Sequence, residues 1–214
     1  FMGCFDRITN SAASRPGLCS WRGRGGQAAR AAGPAVTVTA EQFLGSLAAS
    51  YSGTFDRFEP QAPVPGLAAA YAYHCTNECY VLSQKVKLWH AENHEFVYVI
   101  AAGDLRPGDL EPARQAALAE GLARIRPHID HMASFVTVIF VCDRLCPEAA
   151  EAVRKVRMRK NYKLTLHGWM EHRVAAVELS TQSVVTNRAG AQLVPMLVGN
   201  LETLQKKIKQ GDLN

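Results

Sequence analysis

Ser134–Cys142, SFVTVIFVC, holds the longest clean apolar run of the chain, and its length suits one buried strand rather than a helix or a membrane span. Helical patterns flank it. Upstream, Asp109 is placed to cap a helix with Leu118, Leu122 and Ile125 on one face, ending before Pro127. Downstream, Pro147 opens a helix with Glu148 and Glu151 early and Arg154, Lys155, Arg157 and Arg159 late, charges that complement the helix dipole. Further out, Leu67–Cys75, Cys79–Trp89 and His94–Ala102 read as strands separated by Thr76–Glu78 and His90–Asn93, which are short enough for hairpins and predict an antiparallel meander.

A helix precedes that meander. Thr39 and Gln42 have capping-box spacing, and Phe43, Leu44, Leu47 and Tyr51 recur at helical intervals, while Pro60, Pro63, Pro65 and Gly66 forbid regular structure before Leu67. Towards the C-terminus, strands are expected over Tyr162–His167, Met170–Leu179 and Val184–Thr186. An amphipathic helix with Leu201, Leu204 and Ile208 then stops at Gly211. The order αβββαβαβββα predicts an α+β domain with a mostly antiparallel sheet, an opening three-stranded meander and packed helices.

The 214 residues suffice for one core, and 48 % hydrophobic with 20 % charged residues excludes wholesale disorder and low-complexity classes. No stretch approaches the roughly 18 apolar residues of a spanning helix, so the reading is a soluble, cytoplasmic protein with no membrane partner. The formal charge of +5 is unevenly placed: residues 1–36 carry Arg7, Arg15, Arg22, Arg24 and Arg30 against Asp6, leaving 19 basic and 18 acidic residues elsewhere. That segment lacks any periodic apolar pattern and is expected to be a disordered basic extension, with residues 37–214 forming a single α+β domain. It lacks the apolar core of a secretory signal. Its Arg and Ser content fits a targeting segment, but an extension that is not part of the natural chain is the simpler reading.

The segments Tyr80–Val99 (YVLSQKVKLWHAENHEFVYV), His131–Asp143 (HMASFVTVIFVCD) and Arg154–Gly190, which contains KNYKLTLHGW and VVTNRAG, carry a resemblance. Over roughly Leu67–Gln192 the chain resembles an uncharacterised family of small bacterial and archaeal cytoplasmic proteins, a domain of unknown function. The resemblance implies a cytosolic domain of this size and transfers no activity and no site.

Candidate sites must therefore come from the residues. Cys75/Cys79 and Cys142/Cys146 form two Cys-x-x-x-Cys pairs, a spacing open to zinc. Yet Cys142 ends a strand and Cys146 precedes Pro147, rather than sitting on tight Gly-containing turns, so reduced thiols with no metal and no cofactor are expected. Glu92, His94 and Glu95, with Lys87 before them and His131 and His167 available from elsewhere, are the candidates for acid–base or divalent-metal chemistry. The αβββαβ opening also matches the core order of the restriction-nuclease-like fold, whose Mg²⁺ site needs an acid on one strand and Glu-x-Lys on its neighbour. Lys87 precedes Glu92 and Glu95 here, and the near match Glu171-His172-Arg173 lies on a later strand and ends in Arg.

Arg154, Lys155, Arg157, Arg159, Lys160 and Lys163 make an acid-free block with Tyr162, a candidate surface for weak anion or nucleic-acid binding; a solvated helix end explains most of it as simply. Trp169 reads as a core or hairpin aromatic. No Gly-x-Ser-x-Gly, P-loop or dinucleotide turn is present. The function stays unknown at this level: a domain acting through a binding surface is favoured over a metal-dependent hydrolase or degenerate nuclease-like enzyme built on Glu92, His94 and Glu95. Deletion of residues 1–36 is expected to leave the calorimetric thermal midpoint nearly unchanged, because the segment has nothing to bury. The same deletion should weaken any nucleic-acid binding in a salt-titrated anisotropy assay, since it removes most of the net positive charge.

Overall fold

The computed structural model describes residues 37–80 and 87–211, with side chains for 37–75 and 92–211. The extension 1–36, with Cys4 and Cys19, lies outside the described residues.

Helix α1 (Ala40–Tyr51) starts where the capping box predicts: the Gln42 N–H donates to Thr39 Oγ1 (3.2 Å), and the Thr39 N–H donates to Gln42 Oε1 (3.0 Å). Its buried stripe is Phe43, Leu47 and Tyr51. Three strands follow, β1 (Asp56–Arg57), β2 (Leu67–Tyr80) and β3 (Lys87–Leu105). They are antiparallel neighbours, as a meander requires, but they are not the three segments expected. β2 runs straight through Thr76–Glu78 and β3 straight through His90–Asn93. The expected middle strand Cys79–Trp89 is thus divided between the end of β2 and the start of β3, with residues 81–86 outside the described ones.

Helix α2 (Pro107–Arg124) leads to β4 (His131–Leu145), and α3 (Pro147–Lys155) leads by way of β5 (Arg159–Asn161) to β6 (Trp169–Glu178). β7 (Ser183–Thr186) and α4 (Val194–Gln210) complete the chain. The sheet order is β1-β2-β3-β4-β6-β5, with β7 also on β6. β3–β4 and β4–β6 are parallel, so the sheet is mixed, which corrects the mostly antiparallel expectation. The reason lies in the connections: α2 returns the chain so that β4 starts in the direction of β3, and α3 with β5 returns it so that β6 starts in the direction of β4.

Alternation along the strands supplies two apolar layers. One contains Phe96, Tyr98, Val136, Val138 and Phe140 with Leu110 and Ala117 of α2 and Val153 of α3. The other contains Val97, Val99, Ile139, Val141 and Ala175 with Phe43 and Leu47 of α1 and Leu197 and Leu201 of α4. Val138 through Cys142 are fully buried, because helices cover both faces of β4 and strands cover both its edges. Among the described residues, no helix is long and apolar enough to cross a membrane.

One expected strand is absent. Tyr162–His167 reads as extended, but Lys163, Leu164 and Thr165 form a short turn with φ of 44°, 54° and 75°. Three successive non-glycine residues in the left-handed region cost on the order of 1–3 kcal/mol each. The turn returns the chain from β5 to its antiparallel neighbour β6.

His172, on β6, is fully buried; its Nδ1 donates to the Val136 carbonyl (2.8 Å), and its Nε2 has no partner among the described residues. Burial lowers its pKa from 6.5 to about 4 against the opposing effect of that hydrogen bond. Between those two values the unfolded chain binds the proton and the folded chain does not. The contribution of this histidine to stability is therefore expected to fall by up to about 3 kcal/mol as pH drops from about 6.5 to 4. Urea midpoints across that range should show this slope in the natural chain and a clearly smaller one in His172→Phe.

Candidate functional site: a split histidine and glutamate set and an arginine groove

The strand period divides the predicted acid–base residues. His94 lies on the α2 and α3 side of β3 and contacts Glu92, whereas Glu95 points to the α1 and α4 side. Opposite His94 in register stands His74 of β2, a residue the sequence did not single out, and their Nδ1 atoms are 2.6 Å apart. Glu92 Oε2 lies 3.0 Å from His128 Nε2 and 3.6 Å from His94 Nε2. The His131 ring stacks on that of His94 at 6.0 Å; its Nδ1 donates to the His167 carbonyl (2.7 Å), and its Nε2 accepts from Ser134 Oγ (2.8 Å). His167 thus joins through its backbone. Lys87 begins β3, and its side chain lies outside the described ones.

Burial lowers the pKa of His94, and the nearby His74 and His131 add to the effect, while Glu92 opposes it. Yet among the described residues no three His, Cys, Asp or Glu are placed to hold a metal ion. The Nδ1 atoms of His74 and His94 also stand closer than the roughly 3.3 Å that separates two ligands of a tetrahedral zinc.

Glu95 is committed elsewhere. It accepts from Thr137 Oγ1 (2.6 Å) and Arg173 Nη1 (3.1 Å), and both ends of the ion pair are buried. The Arg173 guanidinium lies 3.4 Å over the Phe135 ring, and the Gln192 amide oxygen, turned toward it, accepts its remaining donors. Burial pushes the pKa of Tyr51 up, and the Glu95 carboxylate adds to it.

Beside this pair, where β5 and β7 leave the middle of the β6 edge without a partner strand, opens a cavity of about 860 Å³. Phe135, Val156, Met158 and Trp169 give it apolar walls; Arg157, Arg159, Arg173 and Arg188 supply four cations against Glu171. The Arg159 guanidinium lies 4.2 Å over Trp169, which meets Phe135 edge-on at 5.3 Å, so Trp169 is a groove aromatic as well as a packing one. The basic block is split. Arg154 and Lys155 pair with Glu151 at 3.8 and 3.4 Å, Lys160 lies 5.4 Å over Tyr162, and Lys163 sits in the left-handed turn; Arg157 and Arg159 reach the groove.

The sequence profile of DUF8052, a domain of unknown function, matches residues 39–198. The chain belongs to this family. No curated protein and no solved structure matches it. Its DUF8052 domain therefore comes with no assigned activity, and chemistry must be argued from the residues above.

Two of the segments quoted for the resemblance meet at the groove. In VVTNRAG, Asn187 takes the place of a missing strand: its N–H donates to the Val174 carbonyl (3.0 Å), its Oδ1 accepts from the N–H groups of Val174 (3.0 Å) and Gly190 (2.8 Å), and its Nδ2 donates to the carbonyls of His172 (3.0 Å) and Val156 (3.3 Å). A Cβ on Gly190 would stand 2.9 Å from Asn187 Oδ1 and from the Val174 carbonyl. In KNYKLTLHGW, Gly168 has φ +71° and passes so close to the His131 and Met132 carbonyls that no side chain fits. Arg188 follows Asn187 directly and is thereby held at the rim. Arg188 has no local signature, because the β6 edge that collects it with Arg157 and Trp169 is formed only in the fold.

The DUF8052 domain also separates the cysteine pairs. Cys75 is opposite Asn93 and Cys142 opposite Ala102, nine positions along β3 and so about 30 Å apart. Burial raises the Cys142 thiol to about 12, and Cys146 Sγ caps α3 by accepting from the Ala149 N–H (3.4 Å). The nuclease-like pattern stays incomplete as well: two residues beyond Glu95 on β3 stands Val97, and the cation that meets Glu95 is Arg173 from β6. Asn187→Ala leaves two buried N–H groups and two carbonyls without their side-chain partner, and urea unfolding should record a loss on the order of 2–4 kcal/mol.

Proposed function

We propose that this domain is a binding module whose arginine groove takes a phosphate-bearing anion. The observation that carries the reading is that Arg157, Arg159 and Arg188 make no ion pair among the described residues although they line one cavity with Glu171 as its acid. Arg173, the fourth cation, is neutralised by Glu95 and serves as the fixed back wall. Guanidinium groups offer forked donors that match phosphate oxygens, and a concave site of this volume suits a small ligand or a few linked units of a longer one. The apolar walls add room for a flat group between or beside the phosphates.

The alternative, a metal-dependent hydrolase or nuclease-like enzyme, gains nothing from this arrangement. Its carboxylates Glu92 and Glu95 serve opposite sides of the sheet, and Glu95 Oε1 is held by Thr137 and Arg173. A basic helix end read as pure dipole compensation accounts for Arg154 and Lys155, and not for the arginines beyond it.

Isothermal titration with pyrophosphate should show binding that weakens as salt rises. The double variant Arg157→Ala/Arg188→Ala is expected to lose about tenfold or more in affinity, since a charge-assisted hydrogen bond contributes roughly 1.5–3 kcal/mol. Arg154→Ala/Lys155→Ala should bind like the natural chain. No heat of binding at millimolar pyrophosphate, or equal losses in both variants, would sink the proposal. Anisotropy with a labelled single-stranded oligonucleotide then tells whether a polymer enters the same groove.

A further inference from the structure

The large apolar side chains that the described residues leave exposed are Ile129 (76 %), Met132 (44 %), Leu164 (92 %) and Leu166 (72 %). They are far apart in sequence and close in the fold. Ile129 and Met132 belong to the entry into β4, Leu164 and Leu166 to the turn between β5 and β6. These segments are fastened together by the His131–His167 hydrogen bond, by the His131 and Tyr162 rings at 5.8 Å, and by the close passage of Gly168 under Met132.

Leu164, the most exposed of the four, is held out by the left-handed run Lys163–Thr165. Strain of this kind persists where the neighbouring structure enforces it and is common at functional surfaces. The cations around the four are Arg126 on one segment and Lys160 and Lys163 on the other, against Asp130 and a Glu92 that is paired with His128. A second copy would bring the same positive rim, and nucleic acid takes aliphatic chains only as wedges between stacked bases, a fit that separate loop tips do not offer. A bilayer containing anionic lipid accepts both features and needs no shape complementarity to separate loop tips.

We infer that this end of the sheet docks on an anionic membrane surface, with Leu164, Leu166 and Ile129 entering the boundary between headgroups and acyl chains and Lys160, Lys163 and Arg126 against the headgroups. The expectation of no membrane partner rested on the lack of a spanning stretch, and surface attachment requires none. The inference does not depend on the groove.

The test is sedimentation of the full chain with vesicles of phosphatidylcholine alone and of phosphatidylcholine with phosphatidylserine. The chain should pellet with the anionic vesicles and far less with the neutral ones. Leu164→Ser/Leu166→Ser should lower partitioning about tenfold while far-ultraviolet circular dichroism stays unchanged; residues 1–36 are present in both proteins, so their basic charge cancels. Arg144→Ala, which removes a cation at the opposite end of β4, should partition like the natural chain. Failure to pellet, or equal partitioning of the leucine variant, overturns the inference. So does a dimer in sedimentation velocity that the leucine variant dissociates, which would assign the patch to protein contact.

Discussion

Strand β4 sets the terms for everything around it. Its centre carries apolar side chains in both directions, so each face must be roofed and each edge must be paired. The chain meets both demands with α1 and α4 on one side, α2 and α3 on the other, and β3 and β6 as parallel neighbours. This arrangement brings the starts of β4 and β6 together at one end of the sheet. The histidine cluster, the Glu95–Arg173 pair and the arginine groove all gather there, on different faces and edges of the same strand ends.

Local signals in the sequence reached the elements that local interactions decide. Thr39 and Gln42 announce α1, Pro147 and the charge gradient announce α3, and the run ending at Cys142 announces β4. Strand direction was not legible, because an apolar run looks the same whichever way its neighbours point. The Tyr162–His167 turn was missed because its residue types suit a strand and only tertiary closure forces Lys163, Leu164 and Thr165 into the left-handed region. For the site, the cationic block was visible and its division was not: Glu151 claims Arg154 and Lys155, while the groove claims Arg157 and Arg159. His74 and Arg188 reach their places through cross-strand register and through the edge of β6, neither of which has a short-range signature.

The Glu95–Arg173 pair lies between the core and the groove. Two buried opposite charges gain little net stability over apolar replacements, because desolvation cancels most of their attraction. Here the pair is held by Thr137, Gln192 and the Phe135 ring, which fixes the guanidinium in one orientation. Nearby, Arg157 donates to the Arg154 and Val156 carbonyls and Arg159 lies over Trp169, so neither is tied to a carboxylate and their remaining donors face an incoming anion.

The way β6 is closed has a consequence for the chain as it leaves the ribosome. The outer edge of β6 is covered in three pieces: by β5 before it in sequence, by β7 after it, and by Asn187 between them. A nascent chain that has delivered β6 but not Asn187 presents unpaired backbone groups flanked by the apolar Val174–Val177, and such an edge invites pairing with another chain. Asn187 and β7 therefore seal this edge only after β6 has been made, and until they arrive the edge is open to pairing with another chain.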